Sequence, residues 1–445
     1  MPIKIEIVQG RPGGGKTKKI LTELAKERNK NILVCAPLKT LRDWIFSYLW
    51  ELGVNNATLI QSRNELCNRI TKLTYLVDKI KEQYQIPEKV IYTVFSTIFC
   101  KSCPIRDKCL YILQFKSLAH SNNVIAVSTH DIALVLHMFK EWDIIYFDEF
   151  ETFLNLINLP PIPKKTVEFM LKKGVIEKEI ANWIRKNWLD IGDAYIMPVE
   201  EIRAKKVIIS SATLIRPLVR FVKSVFKVRF RHVKNVGHDV IFFLNKTSSE
   251  RSRKALLHVL NELMKSKLKD VLERNNMGFV SPNYNITKQI TQMLREKGYK
   301  VVSDVDYDKP PSFYKSSEYN YVVTTKGKWF RGVNVADKPC IFGMFQWQNP
   351  KGEIEILNPY IVMKLREVHG SFYTYPLDEI RRGFIYAENV QSLFRLNRMP
   401  SRVHVMILTR EFWFALRYFM SWYLRKCKTF WGDYDELNKF LRDYV

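Results

Sequence analysis

Eight residues near the amino terminus, Gly10-Arg11-Pro12-Gly13-Gly14-Gly15-Lys16-Thr17, limit what this chain can fold into more than any other segment. They satisfy G-x-x-x-x-G-K-[ST] and lie between an alternating apolar run, Ile3–Val8, and a helical run, Lys18–Asn29. A strand, a glycine-rich turn and a helix in that order make a cradle in which backbone N–H groups and a helix N-terminus face phosphate oxygens. In such a cradle Gly10, Gly13, Gly14 and Gly15 let the backbone come close, Lys16 reaches the outer phosphates, and Thr17 is placed to ligate Mg²⁺. A strand that runs straight into a helix returns to the sheet by a crossover, so the segment already selects an α/β fold with a parallel sheet.

The rest of the chain fits that selection. Short apolar runs at Asn31–Ala36, Val124–Ser128, Ile144–Phe147 and Val207–Ser210 are separated by helix-length segments. A second series begins near Val240 and continues through Met277–Ser281, Lys300–Ser303, Tyr321–Thr325, Pro339–Met344 and Val403–Thr409. Strands alternating with helices in two series predict two doubly wound α/β domains, residues 1–215 and 216–445. Two stretches break the alternation and read as insertions into the first domain: 62–121, rich in cysteine, and 152–206, largely helical. The tail Glu411–Val445 has helical spacing and is expected to pack on the second domain.

Chemistry enters with acidic residues. A phosphate cradle that hydrolyses a nucleotide needs a carboxylate for Mg²⁺ at the end of a nearby strand. Ile144-Ile145-Tyr146-Phe147-Asp148-Glu149 supplies it: Asp148 for the metal's water shell and Glu149 to polarise the attacking water. Ser211-Ala212-Thr213 follows another strand, and its hydroxyls are expected to bond those carboxylates. In the second half Gly327-Lys328-Trp329-Phe330-Arg331-Gly332-Val333-Asn334 follows the strand Tyr321–Thr325, and Gln391-Ser392-Leu393-Phe394-Arg395-Leu396-Asn397-Arg398 opens a helix. Three residues apart on a helix, Arg395 and Arg398 share a face and can present two guanidiniums to a γ-phosphate held by the other domain.

Charge points to the partner. With 71 Lys and Arg against 45 Asp and Glu, the formal charge is +26. That excess suits a polyanion, from which each neutralised phosphate releases counterions. Ten Trp and 21 Tyr add rings on which bases can stack. No stretch approaches the ~18 uninterrupted apolar residues of a membrane helix, and Met1–Val8 lacks a secretory signal's apolar centre. A cytoplasmic protein with no membrane partner is expected (the host's cytoplasm, if a virus or plasmid encodes it). In that compartment seven cysteines argue for metal or plain packing rather than a disulfide framework. Cys67, Cys100, Cys103 and Cys109 form a C-x32-C-x2-C-x5-C series. Four thiolates suit a 4Fe–4S cluster or tetrahedral zinc, and unmetallated cysteines are the third reading.

The ordered set resembles superfamily 2 helicases, and within them the iron–sulphur group typified by XPD and DinG. Gly15-Lys16-Thr17 matches motif I, Ala36-Pro37-Leu38-Lys39-Thr40-Leu41 motif Ia, and Asp148-Glu149-Phe150-Glu151 motif II. Ser211-Ala212-Thr213 matches motif III, Gly327–Asn334 motif V, and Gln391 with Arg395 and Arg398 motif VI. The resemblance implies two RecA-like domains with ATP and Mg²⁺ between them. Lys16, Asp148, Glu149, Arg395 and Arg398 would then act in hydrolysis, with Gln391 and Gly332 on the nucleotide. Lys39 and Thr40 would touch strand phosphates, and Trp329 would offer a stacking step. It further implies that Cys67, Cys100, Cys103 and Cys109 hold a 4Fe–4S cluster, and that 152–206 is a short arch-like insertion. The expected activity is that of a monomeric ATP-driven helicase or translocase, moving 5′ to 3′ on single-stranded DNA or a forked duplex. The alternatives are a nucleic-acid-binding ATPase switch and a remodelling ATPase, neither of which unwinds.

Overall fold

The structure, a computed structural model, describes residues 3–10, 12–67, 103–129, 140–150, 162–172, 178–196, 202–233, 240–245, 277–281, 284–306, 320–325, 340–343, 404–408, 416–419 and 428–432, with isolated positions between them.

The first half runs β1 (Lys4–Gln9), α1 (Lys16–Leu24), β2 (Ile32–Ala36), α2 (Lys39–Glu51), β3 (Ala57–Leu59), α3 (Arg63–Leu66), α4 (Leu110–His120), β4 (Ile125–Thr129) and β5 (Trp142–Asp148). It continues with β6 (Ile162–Pro163), α5 (Lys164–Lys172), α6 (Lys178–Asn187), β7 (Leu189–Asp190), β8 (Ala194–Ile196), β9 (Ala204–Ser211), α7 (Arg216–Val225) and β10 (Lys227–His232). Seven of these strands form one parallel sheet in the order β10-β1-β9-β5-β2-β4-β3.

Composition explains why this sheet is covered on both faces. All five residues of β2 are buried, which is what parallel strands between two helical layers require. On one face Ile32, Val34, Ile125, Val127, Ile144, Tyr146 and Ile208 pack under Ile20, Leu21 and Leu24 of α1 and Leu41, Ile45 and Leu49 of α2. On the other, Ile5, Ile7, Leu33, Ile145, Phe147, Val207 and Ile209 meet Leu218, Phe221 and Val222 of α7. Burying each such Leu, Ile or Phe contributes roughly 1.5–3 kcal/mol.

The second half builds a matching sheet from β11 (Val240–Asn245), β12 (Met277–Ser281), β13 (Val301–Ser303), β14 (Tyr321–Thr325), β15 (Cys340–Gly343), β16 (His404–Leu408) and β17 (Lys428–Gly432), with α8 (Tyr284–Glu296) between β12 and β13. Its order is β13-β14-β12-β15-β16-β11-β17, again parallel. Two seven-stranded parallel sheets with crossover helices make the chain a two-domain α/β protein of RecA-like halves.

Three expectations change. The first sheet does not end at residue 215, because β10 pairs with β1 from Lys4↔Lys227 to Gln9↔His232; the first domain extends through α7 to this strand. The tail is not wholly helical, since Lys428–Gly432 pairs with β11 as an edge strand. The insertion expected over 152–206 stops before Ala204, where β9 begins, and it is not wholly helical: β6, β8 and β7 form a small antiparallel sheet beside α5 and α6. Among the described residues, no helix is long and apolar enough to cross a membrane.

Candidate nucleotide site

β1, β9 and β5 are adjacent in the first sheet, so their carboxyl ends bring Gly10–Thr17, Ser210–Ser211 and Asp148–Glu149 to one place. This is the edge at which open α/β sheets bind ligands.

The loop is built for an anion. Gly13 and Gly15 both sit at φ +75°, a conformation that glycine adopts without the clash a side chain would bring. Gly15 is the N-cap of α1, and no side chain caps that helix; its first N–H groups therefore face the loop's concavity, where phosphate oxygens can accept them. A Cβ added at Gly15 would meet nothing within 4 Å, so its positive φ rather than crowding is what suits glycine there. At Gly10 a Cβ would come within 3.1 Å of the Lys16 side chain. The buried Lys16 ammonium donates to the Gly10 carbonyl at 3.1 Å. These residues fit the triphosphate of a nucleotide.

Asp148 is held by hydroxyls. Thr17 Oγ1 donates to Asp148 Oδ1 at 2.8 Å, and the Tyr146 phenol and Ser210 Oγ reach the same oxygen at 2.6 and 2.9 Å. The Tyr146 and Ser210 hydroxyls are themselves 2.8 Å apart. Asp148 is 5% exposed. Burial first, and then the Asp148 charge, push the Tyr146 phenol well above its ordinary range, so it remains a neutral donor. Thr17 and Asp148 fit Mg²⁺ coordination, direct or through water, because a hydroxyl and a carboxylate already share one point.

Glu149 follows at φ +77°, in the left-handed region that costs a non-glycine residue of order 1–3 kcal/mol. Two contacts hold it there. Its N–H donates to the Ser210 carbonyl at 2.8 Å, and its Oε2 accepts from Ser211 Oγ at 3.2 Å. Ser211 Oγ in turn accepts from the Thr213 N–H at 3.1 Å. The expected bond between the Ser-Ala-Thr segment and the acids therefore runs from Ser211 to Glu149. The bond to Asp148 comes from Ser210, one residue earlier.

Sequence reasoning passed over Tyr146 and Ser210. Their signal was the period of two along a strand: Tyr146 shares a face of β5 with Asp148, and the pairing Asp148↔Ser210 sets the serine opposite.

Lys39 and Thr40 are exposed in the first turn of α2, at the carboxyl end of β2 and so on the same sheet edge. Lys39 Nζ lies 3.6 Å from Glu65. One turn on, Trp44 stacks on Tyr48 at 5.4 Å between centroids, and Lys18 Nζ stands 5.6 Å over the Tyr48 ring. Trp329, Gly332, Gln391, Arg395 and Arg398 lie outside the described residues, as does Cys100.

The other three cysteines of the series do not come together. Cys67, Cys103 and Cys109 are free and half-buried. Among the described residues no group of three or more His, Cys, Asp or Glu can hold a metal ion. Cys103 Sγ accepts instead from Arg69 Nη1 at 3.9 Å. As placed, the three described thiols do not fit a four-thiolate centre. Cys35 is fully buried, and burial raises its thiol far above the ordinary range, as for a small core residue.

No known sequence family matches the chain, and no curated protein matches it. Among solved structures it is similar to an XPD helicase at 11% identity and a TM-score of 0.53, over 96% of this chain and 96% of that one. It is also similar to a DEAD box protein from the hyperthermophile Methanococcus jannaschii, at 14% identity and 0.40, over 97% and 89%. A third similarity is to S. cerevisiae Dbp5 bound to RNA and ADP BeF3, at 12% and 0.46, over 99% and 89%. What the chain shares with the XPD helicase is its fold, two RecA-like domains over nearly the whole of both chains.

Proposed function

We propose that this protein is an ATP-hydrolysing motor acting on nucleic acid, a translocase or helicase that runs along single-stranded DNA. One observation carries the reading: an uncapped helix N-terminus with Lys16 and Thr17, joined by a 2.8 Å hydroxyl–carboxylate bond to an Asp-Glu pair two strands away in the same sheet. Lys16 and the loop N–H groups bind and neutralise the outer phosphates. Mg²⁺, held through Thr17 and Asp148, would supply charge neutralisation on the phosphate oxygens. Glu149, fixed by Ser211, accepts a proton from the attacking water. Arg395 and Arg398 are proposed to reach the γ-phosphate from the second domain, where they would stabilise charge developing in the transition state.

The nucleic-acid partner is supported by the +26 charge and by Lys39 and Thr40 on the same edge as the nucleotide site. Trp44, 38% exposed and stacked on Tyr48, adds a ring for bases. DNA rather than RNA, and movement from 5′ to 3′, follow from the resemblance to the XPD and DinG group. The cysteine centre rests on spacing and on that resemblance, and no step is assigned to it. About four irons per chain in protein purified without oxygen would make it a 4Fe–4S site. One zinc per chain would make it a zinc site, and no metal would leave packing residues.

The decisive experiment measures ATP hydrolysis with and without single-stranded DNA, and strand separation on a forked duplex. Stimulation with unwinding is expected. Stimulation without unwinding would make the protein a nucleic-acid-gated switch, and hydrolysis indifferent to nucleic acid would make it a remodelling ATPase.

A further inference from the structure

Tyr146 packs beneath α1 and α2 with aliphatic strand neighbours, Ile32, Val34, Ile125, Val127, Ile144 and Ile208. A phenol placed among them is fully buried, and burying a hydroxyl costs free energy unless it is hydrogen-bonded. Packing alone would be met by phenylalanine. The hydroxyl is used on Asp148 Oδ1, at 2.6 Å, and lies 2.8 Å from Ser210 Oγ, which also bonds Oδ1.

Three hydroxyls therefore converge on one carboxylate oxygen, and they differ in what carries them. Thr17 belongs to the phosphate loop and is the one that would turn to Mg²⁺ as a ligand. Tyr146 and Ser210 belong to β5 and β9, whose pairing continues from Trp142↔Ala204 to Asp148↔Ser210. Their positions are set by that pairing rather than by the loop. We propose that Tyr146 is a positioning residue for Asp148: with Ser210 it clamps Oδ1, so the carboxylate keeps its aim for Mg²⁺ once Thr17 has turned to the metal. The inference rests on the functional reading above and deepens it. Groups that orient a metal-binding side chain from behind carry about 10–100-fold in metal affinity.

The test uses the full-length protein, a fluorescent ADP analogue and a Mg²⁺ titration, with the phenol removed by Tyr146→Phe and the serine by Ser210→Ala. Half-saturating Mg²⁺ is expected to rise about tenfold in each variant. Nucleotide affinity without metal and the ligand-free melting temperature of Tyr146→Phe should stay at wild-type values. A merely structural tyrosine would lower the melting temperature and weaken binding equally with and without Mg²⁺; that result overturns the inference. An unchanged Mg²⁺ requirement in both variants overturns it too. If Tyr146→Phe does not fold, Ser210→Ala decides by the same measurement. Should the wild type itself bind nucleotide without regard to Mg²⁺, the functional reading fails and takes this inference with it. Failure of the variants alone leaves that reading standing.

Discussion

Glu149 shows how much of the site is decided by single residues. Its left-handed backbone is tolerated because Ser210 and Ser211 hold it from the neighbouring strand. Glu149→Gly should therefore hydrolyse nothing and yet melt no lower than wild type, since glycine accepts that conformation freely. A clear drop in melting temperature would show that the side-chain bond outweighs the strain. On the proposed function Lys16→Ala and Asp148→Ala would remove phosphate neutralisation and metal placement; each should lower kcat by about 100-fold or more in a steady-state assay. Near wild-type turnover in either would sink the site assignment. The loop and the acid pair could be read from sequence because each is a contiguous string with chemical meaning. Tyr146 and Ser210 could not be read so directly. Each looks like an ordinary strand residue until the register of β5 against β9 is known, and register is a property of pairing rather than of either segment.

Elements were visible in sequence wherever an apolar run was long enough to demand burial on both faces, as in Ile32–Ala36 and Val207–Ser210. They were hidden where burial is one-sided. β10 alternates exposed and half-buried residues, and nothing local announces that its partner is the first strand of the chain. β17 was hidden in a tail whose spacing is helical. Local ties between elements follow charge. The buried Arg42 of α2 grips Glu65 of α3 with two bonds, at 2.6 and 2.9 Å, and Ser62 donates to the same carboxylate. These donors, Arg42 foremost, hold the Glu65 carboxyl well below the usual carboxylate range. A depressed carboxylate contributes stability in full above its unfolded value, near 4.3, and loses it as pH falls further. Glu65→Gln should thus destabilise by about 2 kcal/mol at pH 7, and the gap to wild type should close as pH drops below roughly 4 in chemical denaturation. A gap independent of pH would show that shape, not charge, joins α2 to α3. In the second sheet the fully buried Asp304, just past β13, accepts from the Thr325 N–H at 2.7 Å and from the Thr325 hydroxyl at 3.3 Å. Asp304→Asn removes one acceptor and is expected to cost about 2 kcal/mol by thermal melting; a neutral result would mean that the bonds to β14 are replaced without loss.

At the level of the whole molecule, the two halves meet just past the Ser-Ala-Thr segment. Arg216 donates to the Tyr418 carbonyl at 3.1 Å and lies 4.9 Å from its ring. A Cβ on Gly383 would come within 2.8 Å of Ile215 Cγ2, a branched and stiff side chain. Gly383→Ala should destabilise by about 1–3 kcal/mol, and adding Ile215→Ala should recover part of that loss because the obstructing methyl is gone. Strict additivity of the two changes in a double-mutant cycle would mean that the positions do not touch. The strand order has a further consequence, in time rather than space. β1 lies between β9 and β10, so the strand that leads into the phosphate loop is the first made and the last to be flanked. At about 5–20 residues per second, a ribosome leaves it without either neighbour for on the order of 10–40 s. During that interval the nascent chain carries the loop and Asp148 but not the strand Ala204–Ser211, which lies between them in the finished sheet.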